Sequence, residues 1–178
     1  MKVIQVMTKN ITDELDINMG TVSKLVSILS VLKWKSFNFT TKLYVDKFYK
    51  DYFDSIGLIN LYDEVDCTYF TDSDPYAAKN IDKRFFWAMS KLFVLENEQE
   101  PFILSDMDFI PLKDFHSFTE DHEVFGYYRE QYRNSITYPD KEHMPVGEGY
   151  QFPDWLTWSV NPINTAVLYI QNEEYERN

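Results

Sequence analysis

The stretch Phe102-Ile103-Leu104-Ser105-Asp106-Met107-Asp108 decides how the rest of the chain is read. Three apolar residues in a row, with Glu100-Pro101 in front, suit a short strand buried on both faces. Two carboxylates follow at i and i+2. In an extended segment that spacing puts both side chains on the same side, here at the rim of a sheet. Two close carboxylates repel unless something cationic sits between them. A hard cation such as Mg2+ or Mn2+ accepts carboxylate oxygens and leaves positions for substrate phosphates. It can then offset the charge on a diphosphate leaving group. The pattern alone has little specificity in an acidic chain: Asp72-Ser73-Asp74 repeats it inside a turn cluster. Only Asp106–Asp108 follows a buried-strand run. The competing reading is a strand-end turn ahead of Pro111.

Working outward, the residues between Lys2 and Thr8 are apolar on both faces, which suits a second buried strand. Asn18 to Lys35 places Val22, Leu25, Val26, Leu29 and Leu32 at helical spacing, so the expectation is an amphipathic helix with that stripe turned to the core. Thr41 to Val45 is a short β-rich run ended by Asp46. Lys47 to Ile56 repeats Phe48, Tyr52, Phe53 and Ile56 on one helical face, and Gly57 supplies the stop. Leu61 to Val65 is a candidate third strand. Arg84 to Glu98 is a candidate helix with Phe85, Met89, Leu92 and Phe93 on one face. Glu123 to Tyr128 and Ala166 to Ile170 are the last two strand candidates. Strands alternating with helices predict an α/β fold: one domain over residues 1–178, with a mostly parallel sheet and helices on both faces. Ligands in such sheets sit outside the carboxyl ends of the strands, which puts Thr8, Asp46 and Asp106–Asp108 on one rim.

Residues 134–162 form the exception. They hold four prolines and two glycines and show no sustained period, yet keep Trp155 and Trp158. A loop this long in a compact domain is usually functional or disordered, and the tryptophans favour an ordered lid or binding loop.

Composition narrows the function. The chain has 178 residues and a formal net charge of −12. Residues 1–50 carry eight basic against four acidic side chains, and residues 51–178 nine against 25. The acidic balance disfavours a nucleic-acid partner, because phosphate neutralisation needs clustered Lys and Arg. The single Cys67 excludes an internal disulfide and a cysteine zinc cage, and a reducing cytoplasm is the simplest setting. No run approaches the roughly 18 apolar residues of a membrane span.

The segment Phe86-Trp87-Ala88-Met89-Ser90-Lys91-Leu92-Phe93, followed by the strand and Asp106-Met107-Asp108, resembles GT-A glycosyltransferases with a DXD motif. In those enzymes a helix precedes a strand that ends in the metal-binding acidic pair. A further stretch, Asn161 to Tyr169, is similar to the strand entry after that motif. The resemblance implies a Rossmann-like GT-A domain that binds a nucleotide-sugar, most simply a UDP-sugar, with Mn2+ or Mg2+. It implies Asp108 as direct metal ligand and Asp106 as a contact to the metal or the ribose. It places Trp87, Lys91 and Asn164 in the donor site, and Thr8 and Asp46 near the base. The acceptor (glycan, lipid or protein) stays open. Full enzymes of this type continue with acceptor-binding elements beyond the last strand, so three expectations stand side by side: a domain truncated on its C-terminal side, a minimal transferase, or a relic that binds without turnover. Thr165 and Ala166 stand where the family pattern often has a small residue followed by Gly.

Other residues carry weaker signals. Asp154 lies beside Trp155 in the long loop, where a carboxylate next to an aromatic sugar platform could act as general base; the competing role is a helix cap. Glu148 is an alternative base, and Arg129 a candidate phosphate partner. His116, His122 and His143 show no metal spacing. Ser105 and Ser159 lack a nucleophile-elbow context. A nucleotidyltransferase would normally show a Gly-rich, basic loop after the first strand, and none precedes Gly20. Two functions of different class remain: a metal-dependent glycosyltransferase, and a catalytically inactive binding or interaction protein on the same scaffold.

Overall fold

Strands and helices alternate from the first residues onward. The computed structural model describes residues 1–9, 19–72, 75–79, 88–120, 122–130, 141–143, 149–154, 161 and 163–171. In chain order these are β1 (Lys2–Met7), α1 (Thr21–Ser36), β2 (Thr40–Val45), α2 (Lys47–Ser55), a 3-10 turn (Leu58–Leu61) and β3 (Glu64–Asp66). Then come the short helices α3 (Thr68–Thr71) and α4 (Pro75–Ala78), followed by α5 (Met89–Asn97), β4 (Phe102–Ser105), α6 (His116–Glu120), β5 (Val124–Arg129), a 3-10 turn (Lys141–His143) and β6 (Ile163–Ile170).

The six strands form one sheet in the order β3-β2-β1-β4-β6-β5. β1 pairs in parallel with β2 and β4, and β2 in parallel with β3. β6 runs against both of its neighbours, so it alone points the other way. The sheet is mixed but mostly parallel, as expected.

Alternation along the strands divides the core. Ile4, Tyr44, Phe102 and Leu104 pack on one face with Phe70, Tyr76, Phe93 and Val94 from α3, α4 and α5. Val3, Ile103 and Val167 pack on the other with Trp34 of α1 and Phe115. Leu43 and Val45 continue that second face against Val31, Tyr49 and Phe53 of α1 and α2. Successive side chains of β1, β2 and β4 go to opposite faces, as the period of two requires. Both faces are thus covered by helices.

Several expectations need correction. α1 does not turn its leucine stripe inward. It buries Ser27, Ser30, Val31 and Trp34, while Val22, Leu25, Leu29 and Leu32 are 73%, 60%, 46% and 46% exposed. The cause is polar. Ser30 Oγ donates to the Phe109 carbonyl (2.6 Å) and accepts from Gln5 Nε2 (2.9 Å), and Trp34 Nε1 donates to Ser105 Oγ (3.2 Å). Small serines let the helix approach the sheet, and the bonds fix its rotation. In α5 the buried residues are Ser90, Phe93 and Val94, and Leu92 is exposed. The stretch expected as a strand from Leu61 begins as the 3-10 turn, and pairing starts only at Glu64, after the Asp63 carboxylate has bonded to Thr41 N (2.8 Å) and Oγ1 (3.0 Å). Gly57 does end α2's turn in the left-handed region, at φ 73°. Most of residues 134–162, including both tryptophans, lies outside the described residues.

Candidate functional site

The strand order changes direction between β1 and β4: the chain moves outward through β2 and β3, then returns to the other side of β1. Open α/β sheets bind ligands at such a switch point. A cleft of about 770 Å³ lies here. Thr8 at the end of β1, Ser23 in the first turn of α1, Lys91 in the first turn of α5, and Asp106 and Asp108 after β4 all line it.

The acidic pair sits in a turn rather than in extended chain. Phe109 N donates back to the Asp106 carbonyl (3.2 Å), the i to i+3 bond of a β-turn. Met107, between the two carboxylates, is buried against the α1–α2 side of the core. The Asp106 amide donates to the Ala166 carbonyl (2.8 Å), and its own carbonyl also accepts from Gln5 Nε2 (3.0 Å). Gln5 is 1% exposed, and its Oε1 accepts from the Tyr62 hydroxyl (2.6 Å). Burial pushes the Tyr62 phenol well above its usual range, so it stays a proton donor. A buried chain of hydrogen bonds therefore holds the turn from beneath.

The charges above it are unequal. Lys91 Nζ forms an ion pair with Asp106 Oδ1 and reaches the Thr165 carbonyl (3.3 Å) and Oγ1 (3.4 Å). Asp108 is exposed and has no ion-pair partner among the described residues. Among the described residues no group of three or more His, Cys, Asp or Glu is placed to hold a metal ion. Two of the carboxylates that line the cleft are therefore Asp106 and Asp108, the first of them already facing a lysine. The N-cap of α1, Gly20, makes no side-chain bond, and the first turn has no acid, so that helix end presents its positive pole beside the cleft.

Of the expected site residues, Thr8, Lys91, Asp106 and Asp108 come together in the cleft. Asp46 does not line it. It caps α2, with Oδ1 accepting from Tyr49 N (2.9 Å) and Oδ2 from Lys9 N (2.6 Å). Asn164 lies where β5 and β6 meet, its Nδ2 donating to Glu130 Oε1 (2.5 Å) and the Tyr128 hydroxyl (3.1 Å). It is one residue from Thr165, which Lys91 contacts. Asp154 is exposed and does not line the cleft. Trp87 lies outside the described residues, as do Glu148, Ser159 and the His143 side chain. Arg129 bonds the Asn161 carbonyl (3.4 Å). His116 stacks on Phe39 and pairs with Asp114, and His122 meets the Phe118 carbonyl. Ser23 and Ser90 line the cleft and Gln5 braces it, roles the sequence alone does not assign to them. Gln5 had a signal, being a polar residue inside an apolar strand.

No family model matches the chain, and no curated protein matches it. Among solved structures, one match is a PaToxG glycosyltransferase, with a TM-score of 0.39 and 16% identity over 65% of this chain and 44% of that chain. The chain thus spans under half of that structure, and a similarity this low carries no argument about fold or activity.

Proposed function

We propose that this chain is a GT-A-type, metal-dependent glycosyltransferase that takes a sugar from a nucleoside-diphosphate donor, UDP-sugars first, and passes it to a glycan, lipid or protein acceptor. The observation that carries the reading is the convergence of Asp106, Asp108 and Lys91 on a cleft at the switch point between β1 and β4. In this reading Asp108 and Asp106 hold Mn2+ or Mg2+, and the metal when bound offsets charge on the departing diphosphate. Lys91 adds a second positive charge on the same wall, and the start of α1 faces the same anion. Thr8 borders the base. Asp46 is assigned to capping and Asn164 to holding β6 beside Lys91. A reducing, cytoplasmic setting goes with this reading.

Calorimetric titration of UDP and of GDP, each with and without Mn2+, tests it. Binding should require the metal and should vanish in Asp106→Ala/Asp108→Ala. Nucleotide binding that ignores both the metal and the double substitution overturns the site. A second reading, a catalytically inactive binding or interaction protein on the same scaffold, draws on the Lys91–Asp106 pair, which already neutralises one carboxylate. Hydrolysis of a UDP-sugar above a metal-free blank sinks that one.

A further inference from the structure

α1 carries two faces, and among the described residues only one of them is packed. At about 100° per residue, Ser27, Ser30, Val31 and Trp34 fall on one side, and Val22, Leu25, Leu29 and Leu32 fall on the side roughly opposite. The exposures agree: the first four are buried and the second four form a ridge 46–73% exposed. Their 3-4-3 spacing runs straight along a helix about 24 Å long. The same wheel places Lys33 on one flank of the ridge and Lys24 and Lys35 on the other. α1 has three lysines and no Asp or Glu, in a chain of net charge −12. Lys35 is paired with Asp63 (2.7 Å). Lys24 and Lys33 lie over the rings of Tyr52 and Phe37, and neither has a carboxylate partner among the described residues.

We propose that the outer face of α1 lies on an anionic lipid surface. The apolar ridge enters the boundary between headgroups and acyl chains, and Lys24 and Lys33 reach the headgroup phosphates on either side. Charge complementarity selects this occupant. A second copy paired ridge to ridge would set cationic flanks against one another, with no acid on either helix to answer them. The ridge is convex and straight, which matches a planar interface. Val22 belongs both to the ridge and to the wall of the cleft, so docking this way puts the cleft's mouth at the lipid surface. The inference does not rest on the transferase reading.

Co-sedimentation of the full chain with vesicles of phosphatidylcholine and phosphatidylserine in equal parts tests it, beside vesicles of phosphatidylcholine alone. The chain should pellet with the mixed vesicles and not with the neutral ones. Leu25→Glu/Leu29→Glu changes only exposed positions and should weaken partitioning by about tenfold or more. Its melting curve is recorded first, to establish that the fold is intact. Lys24→Gln/Lys33→Gln should lose the preference for phosphatidylserine. Three results overturn the proposal: no pelleting with mixed vesicles, equal pelleting by the folded Leu25→Glu/Leu29→Glu variant, or a solution dimer abolished by that variant without vesicle binding, which assigns the ridge to a second copy. Ridge-dependent binding of polyglutamate by a chain that ignores vesicles also overturns it, in favour of an acidic protein partner.

Discussion

Gln5→Leu isolates the network beneath the acidic turn. The side chain is 1% exposed and makes three hydrogen bonds: to Ser30 Oγ at 2.9 Å, to the Asp106 carbonyl at 3.0 Å, and from the Tyr62 hydroxyl at 2.6 Å. Leucine has nearly the same volume, so packing is largely kept. The three partners fare differently. Ser30 Oγ still donates to the Phe109 carbonyl, and the Asp106 carbonyl still accepts from Ser105 Oγ and Phe109 N. Only the Tyr62 hydroxyl, in a residue 7% exposed, is left stranded. A stranded buried hydroxyl costs about 1–3 kcal/mol and the other bonds about 1 kcal/mol together, giving about 2–4 kcal/mol in all. For a chain of this size that lowers Tm by about 5–15 °C. The assay is urea and thermal unfolding of Gln5→Leu, Tyr62→Phe and the double variant. Removing the stranded hydroxyl should return about 1–2 kcal/mol, so Gln5→Leu/Tyr62→Phe should be more stable than Gln5→Leu. A double variant no more stable than Gln5→Leu, or a single variant as stable as wild type, refutes the reasoning.

Three further outcomes are expected. Gly126→Ala puts a Cβ against the Cγ2 methyl of Ile163 on the neighbouring strand, where a β-branched side chain has little freedom to move; it should cost about 1–3 kcal/mol in unfolding experiments, and Ile163→Ala should restore most of that. Asp46→Ala removes the α2 cap and the acceptor for Lys9 N, for a loss of about 1–2 kcal/mol by urea melts. Glu98 is buried and bonded to Lys42 and Tyr44, each at 2.5 Å; burial opposes its ionisation, but those two bonds outweigh it and hold the carboxyl below its ordinary range. A depressed carboxylate contributes stability above its unfolded pKa and loses it as pH falls through the folded value. The stability gap between wild type and Glu98→Gln should therefore be full near neutral pH and close on acidification below the ordinary carboxyl value of 4.5; a gap constant with pH contradicts this assignment.

The sheet was legible because its central strands are short apolar runs with clear edges: Val3-Ile4, Leu43-Tyr44-Val45 and Phe102-Ile103-Leu104 each serve two faces and need no tertiary knowledge to be seen. Helix rotation was not legible in α1. Periodicity reads hydrophobicity, and there the leucines outvoted Ser27 and Ser30, whose inward placement depends on partners 25 and 79 residues away. The positions of Asp106 and Asp108 were legible, but their turn geometry was not, since it depends on Met107 finding a slot between helices and on Phe109 N bonding back to Asp106. The ion pair from Lys91 was hidden for the same reason: 15 residues of chain and a strand separate it from Asp106. Asp46 shows the opposite case: its rim position suggests a ligand contact, while the local spacing to Tyr49 spells the helix cap that the structure contains.

The place of β6 has a consequence for how the chain acquires its structure. Among the described residues it is the last strand in sequence, and it sits between β4 and β5, running against both. Until residues 163–170 arrive, β4 has one open edge and β5 no strand beside it. During synthesis the parallel half of the sheet, β1 to β4, can assemble early, but the second half waits for residues 163–170. The nascent protein thus passes through a stage with an unpaired edge, at which strands recruit wrong partners. Stalling before Ile163 should leave a ribosome-bound chain that is protected from proteolysis in β1 and β2 and open to it in β5.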